Sequence, residues 1–103
     1  MTNLQNILKQ AQKIQSQVTK MQAELGDRRV EASAGGGMVT AVVNGRQELI
    51  SLRIDAQVVD PTDVEMLEDL VVAAVSEALG RAAEMANEEM KRLTGGMPIP
   101  GLL

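Results

Sequence analysis

The sequence predicts an α+β fold of one domain, in the order α-β-β-β-α. Three observations carry this. The first 25 residues hold an apolar heptad seam. An Asn-Gly pair stands between two strand-like runs in the middle of the chain. A long segment with an apolar stripe follows Asp60-Pro61 and stops at Gly95-Gly96.

Helix 1 is read over residues 3–25. Leu4, Ile7, Ala11, Ile14, Val18, Met21 and Leu25 recur at alternating spacings of 3 and 4, which is the a/d seam of three heptads. With Leu4 at a, Lys9 falls at f, and Lys13 and Lys20 fall at c. All three lysines therefore project away from the seam. Thr2 or Asn3 serves as N-cap, and Gly26-Asp27 ends the helix. Residues 29–34 read as a short strand, and Gly35-Gly36-Gly37 as a flexible connector. Met38–Val43 is β-branched and apolar. The Asn44-Gly45 pair that follows fits a type I′ turn, whose two central residues need positive φ. The returning strand is read over 46–54. Simple alternation there sets Glu48, Ile50, Leu52 and Ile54 against Gln47, Leu49, Ser51 and Arg53, with Leu49 misplaced among polar residues.

Helix 2 opens with Asp60 as N-cap and Pro61 at the first helical position, and runs to about Leu93. It carries two apolar ridges. Leu67, Val71, Ala74, Ala78, Ala82 and Met85 form one; Val72, Val75, Leu79, Ala82, Ala86, Met90 and Leu93 form the other. Its many alanines permit close approach to a sheet or a second helix. Gly80 interrupts it and marks a close contact or a bend. Residues 1–96 make up the single domain. The Pro/Gly apolar tail, 97–103, has two readings, disorder or docking on a partner subunit.

Composition narrows function. The 103 residues contain no His, Cys, Phe, Tyr or Trp. Thiol nucleophiles, the usual general base and the commonest metal ligand are thus missing. A small core without aromatic side chains gains from oligomerisation. No apolar run approaches the roughly 20 residues that span a bilayer, and Gln and Lys interrupt residues 1–25 throughout, so no signal-peptide apolar region is expected there. It is expected to be cytoplasmic. Net charge is −4, but unevenly spread. Residues 1–30 carry five cations against two acids, while residues 55–90 carry ten acids against Arg81 alone. Such polarity either orients a molecule toward a polyanion or lets its two halves attract one another.

The remaining motifs have structural readings. Gly35–Gly37 lacks the Gly-Lys-Ser/Thr ending of a phosphate loop and opens no helix. Glu65, Glu68 and Asp69 stand in the first turns of helix 2, where the helix dipole favours acids. Ser16, Ser33, Ser51 and Ser76 have no histidine to activate them. The seven methionines are core filler. No catalytic residue, metal ligand, cofactor or small-molecule substrate is assigned. What remains is the basic face of Lys9, Lys13 and Lys20, extended by Arg28 and Arg29. By spacing alone this face has two readings, ordinary solvated surface of a coiled-coil helix or a nucleic-acid contact. With no aromatics to stack on exposed bases, the second means duplex phosphates rather than base readout.

The residues also carry a resemblance. Lys9-Gln10-Ala11-Gln12-Lys13, Gly37–Gly45, Ile54-Asp55, Met66–Val71 with Ala74 and Ala78, and Leu93–Met97 are similar, in order, to the YbaB/EbfC family of bacterial nucleoid-associated proteins. The resemblance implies an intertwined homodimer whose sheets and second helices form the body, with first helices projecting like tweezer arms. It implies duplex DNA as partner, altered DNA conformation, nucleoid organisation and gene regulation. Lys9 and Lys13 carry over as DNA-contacting positions; Lys20, Arg28 and Arg29 rest on charge and position alone. The alternative function is a protein-interaction module, its helix 1 seam binding a helical partner or building a larger assembly.

Overall fold

A computed structural model describes residues 2–95 and gives the order α1 (Thr2–Asp27), β1 (Arg29–Ala34), β2 (Val39–Asn44), β3 (Leu49–Ile54), a short 3-10 turn (Ala56–Val58) and α2 (Val64–Thr94). The predicted α-β-β-β-α order holds. Residues 97–103, the predicted tail, lie outside the described residues.

The sheet is antiparallel throughout, in the order β1-β2-β3. Cross-strand partners share a face. Val30, Ala32 and Ala34 therefore line up with Val43, Ala41 and Val39 on one side. Across that side lies α2, whose Ala74, Ala78 and Ala82 are fully buried against Val39, Ala41 and Val43. Leu67, Leu70, Val71, Val75 and Leu79 close over this center. Small residues on both layers bring helix and sheet close together, as the alanine content anticipates.

Four local readings are corrected. The Asn44-Gly45 pair makes a hairpin but not a type I′ turn. Asn44 ends β2, and the positive φ falls on Gln47 (62°), not Gly45. Strand β3 begins at Leu49, and the register slips between Val42/Ser51 and Val43/Leu49. Ile50 is thus the extra residue of a β-bulge. The slip turns Leu49 to face Val43, so it joins Leu52 and Ile54 on the side that α2 covers elsewhere. That explains why simple alternation misplaces Leu49. The N-cap of α2 is Asp63, which accepts from the Met66 N–H at 3.2 Å. Asp60 is occupied otherwise, accepting from the Thr62 N–H at 2.9 Å and hydroxyl at 2.7 Å in a turn of its own. Finally, Val72 and Gly80 lie on the outer face of α2: Val72 is exposed, and a Cβ on Gly80 would meet nothing within 4 Å. The helix ends as expected, Gly95 taking the left-handed conformation (φ 63°) with its N–H on Lys91 O.

Helix α1 belongs to this body only at its C-terminal end. Met21 and Leu25 are buried where it meets α2 and β2. A knot of polar contacts fixes that junction. The Asn44 amide donates to Gly26 O at 3.3 Å and to the Glu48 carboxylate at 2.8 Å, while its oxygen accepts from the N–H groups of Arg46 and Glu48. Gly45 N–H donates to Leu25 O at 2.8 Å. Beyond this knot α1 leaves the body, and the chain measures 72 × 20 × 17 Å.

Candidate nucleic-acid interface

The uncovered length of α1 is the most distinctive surface of the molecule. Its seam is two different things along its length. Toward the C-terminus, Met21 and Leu25 are buried and Val18 half-buried. Toward the N-terminus the same seam is open: Leu4 is 65 %, Ile7 61 % and Ile14 37 % exposed. The helix is about 39 Å long for its 26 residues, so more than half of it projects as an arm.

Lys9, Lys13 and Lys20 stand on the face opposite the seam, all exposed. On a straight α-helix they lie within an arc of about 40° and span about 16 Å along the axis. Among the described residues none of them enters an ion pair. Their charge is therefore available to an external anion. Lys20 borders an open groove at the arm's root, lined also by Gln17, Glu24, Glu89 and Arg92, so acids moderate the field there.

The two arginines are placed differently. Arg28 Nη1 sits 3.2 Å from the Glu89 carboxylate, which also receives Arg92 at 3.0 Å. Arg29 Nη1 donates to the carbonyls of Gly26 at 3.1 Å and Arg28 at 3.4 Å. Gly26 O, a carbonyl that the end of α1 leaves without a helical partner, thus receives Arg29 as well as the Asn44 amide. The structure thus groups the three lysines on one rod and places Arg28 and Arg29 at its root, each with an internal partner. Sequence spacing carries the first arrangement. It cannot carry the second, because Glu89 is 61 residues from Arg28.

A second polar surface was not singled out by the sequence. The sheet face turned away from α2 is uncovered, and Arg53, Ser33 and Thr40 there border a shallow pocket with Glu31, Glu77 and Arg81. Arg81 is bound to the Glu77 carboxylate and to Glu31 O, both at 2.8 Å, and so blunts the β1 edge. Among the described residues, no three potential ligands are grouped as a metal ion would need, and no helix is long and apolar enough to cross a membrane.

Residues 1–97 match the family model described as the YbaB/EbfC DNA-binding family. The chain belongs to that family. It is 58 % identical over 100 residues to the nucleoid-associated protein Teth39_2199 of Thermoanaerobacter pseudethanolicus, covering 97 % of this chain and 90 % of that one. A nucleoid-associated protein of Moorella thermoacetica is 54 % identical over 101 residues, covering 98 % and 97 %. Among solved structures, the uncharacterized protein HP0035 of Helicobacter pylori shares the fold of this YbaB/EbfC member. Its TM-score is 0.63 at 23 % identity, over 85 % of this chain and 98 % of that one.

Proposed function

We propose that this YbaB/EbfC member is a nucleoid-associated protein of the cytoplasm. In this reading it binds duplex DNA as a homodimer, chiefly through phosphates, and alters DNA conformation in organising the nucleoid and regulating genes. The observation that carries the reading is the projecting arm, with Lys9 and Lys13 held away from the acidic body, Lys20 in line with them at its root, and none of the three in an ion pair among the described residues. Membership of a DNA-binding family and the nucleoid-associated names of its relatives support it. Lys9 and Lys13 are the principal contacts, Lys20 a weaker one beside Glu24 and Glu89, and Arg28 and Arg29 contribute at the arm's root.

The homodimer rests on a second observation. All six residues of β3 are exposed, yet Leu49 (51 %), Leu52 (37 %) and Ile54 (37 %) lie on the core side of the sheet. They continue the apolar surface of β2 on the side of the sheet that α2 covers. A row of exposed apolar side chains at a free sheet edge marks an interface. A two-fold axis there doubles the lysine arms, which is how a chain of net charge −4 can hold a polyanion.

The test is a gel-shift titration of a mixed-sequence duplex at two salt concentrations, with wild type and Lys9→Glu/Lys13→Glu. Binding should weaken with salt, by a log–log slope near −0.9 for each phosphate neutralised, and be lost in the variant. No binding at low salt would refute the reading. The rival, a protein-interaction module, requires the lysine changes to be silent and Ile14→Asp to be damaging.

A further inference from the structure

We infer that the open seam of α1 pairs with the same seam of another copy, joining dimers through their arms. The inference goes beyond DNA binding and does not depend on it, because the seam and the lysines lie on opposite faces of the helix.

Four observations support a second copy as the occupant. First, α2 covers the seam only near its C-terminal end, then stops at Thr94, whereas the heptad continues through Ile14, Ala11, Ile7 and Leu4, all exposed. The apolar seam does not end where its intramolecular partner does. Second, the repeat is strictly 3-4, with a mean spacing of about 3.5. That is the period of a helix with another helix alongside, and exposed Leu8 at an e position adds to the apolar surface at its open end. Third, the positions flanking the exposed part of the seam are Leu8, Gln10, Gln15 and Gln17, none of them charged, while Gln22 and Glu24 flank its buried root. In coiled coils, charges at these e and g positions choose a foreign partner and repel wrong ones. Uncharged flanks impose no repulsion between identical arms. Fourth, Lys9, Lys13 and Lys20 point outward, so pairing two seams does not press like charges together.

The exposed seam is short, and a two-stranded coil of that length is weak in dilute solution. Its pairing becomes favourable when arms are crowded, as on a shared duplex, where effective concentration replaces intrinsic affinity. Paired arms would present lysine faces on opposite sides.

The absence of cysteine makes the test direct. In sedimentation equilibrium the full-length wild type should show a mass above that of a dimer, rising with concentration and with added duplex. Ile7→Asp/Ile14→Asp should stay at the dimer mass, with an unchanged far-UV circular dichroism spectrum. The same variant should bind a duplex too short for two dimers with unchanged affinity. Under mild oxidation, Ala11→Cys on the seam should form disulfides between dimers at several times the yield of Gln12→Cys on the outer face. Wild type held at the dimer mass at every concentration, with and without duplex, would overturn the inference. So would equal assembly by the aspartate variant, or equal cross-linking by the two cysteine variants. If the protein assembled in this way but bound no duplex, the DNA reading would fail and this inference would stand.

Discussion

Asn44 and Gly45 show how one dipeptide does more than its motif states. Asn-Gly is a hairpin signal because Gly tolerates positive φ. Here the need for glycine is instead a close approach: a Cβ on Gly45 would stand 2.8 Å from Leu25 O and 2.9 Å from a Leu25 methyl. Gly45→Ala must therefore push the end of α1 away from the hairpin. It is expected to cost about 1–3 kcal/mol, read as a lower midpoint in urea unfolding. Asn44 is buried and uses both ends of its amide, so Asn44→Ala leaves several groups unpaired. A loss of about 1–3 kcal/mol is expected, with near-normal β-structure. Asp60 gives a pH signature. The Thr62 hydroxyl, and then its N–H, hold the Asp60 carboxyl below the usual aspartate range. A depressed folded-state value means that this turn is fully supported at neutral pH. Support begins to fade as pH falls to the ordinary aspartate value of about 3.9, and is lost below the folded-state value. In an NMR titration the Asp60 midpoint should sit below that value, and Thr62→Val should raise it.

At the scale of elements, the outer face of α2 offers a clean test of propensity. Gly80 is exposed, mid-helix and without neighbours, so Gly80→Ala should stabilise the chain by roughly 0.5–1 kcal/mol, measured as a raised thermal midpoint. On α1 the expected ranking of DNA contacts follows from partners. Lys13→Ala should lower affinity more than Arg28→Ala, because Arg28 already shares its charge with Glu89; paired binding titrations at one salt concentration compare them. These elements also show what was legible in the sequence. The helix 1 seam, β1 and the α2 stop at Gly95 follow from local periodicity and local backbone chemistry, and all three were readable. The bulge at Ile50 was visible only as Leu49 falling out of phase, since a register slip is settled by the partner strand. The start of α2 was misread because two aspartates, Asp60 and Asp63, both suit a cap, and the side-chain hydrogen bonds to Thr62 decide between them. The lysines of the arm were legible from heptad phase, but the commitments of Arg28 and Arg29 depend on tertiary neighbours.

The whole molecule is too extended and too exposed to be a finished globule. It exposes 7405 Å², whereas a compact monomer of 11.0 kDa would expose about 5,600 Å². Its radius of gyration is 19.3 Å, against about 13 Å for a compact chain of this length. The arm accounts for part of that difference, and the open face of β3 for another part. The residues that fill the core of the chain are mostly Ala and Val, so its interior is small for its length. The proposed homodimer, formed across β3, would add burial where Leu49, Leu52 and Ile54 lie exposed on the core side of the sheet. Charge placed there should separate association from folding. Leu52→Glu/Ile54→Glu alters exposed side chains and leaves Val39, Ala41, Val43 and the α2 alanines in place. The variant is expected to lose the dimer, giving half the wild-type mass by light scattering at matched concentration. It should also bind duplex more weakly with a smaller salt slope, because a single arm neutralises fewer phosphates. A variant of unchanged mass would place the dimer interface elsewhere. One of halved mass with an unchanged salt slope would mean that one arm suffices for DNA, and the need for a pair of arms would be refuted.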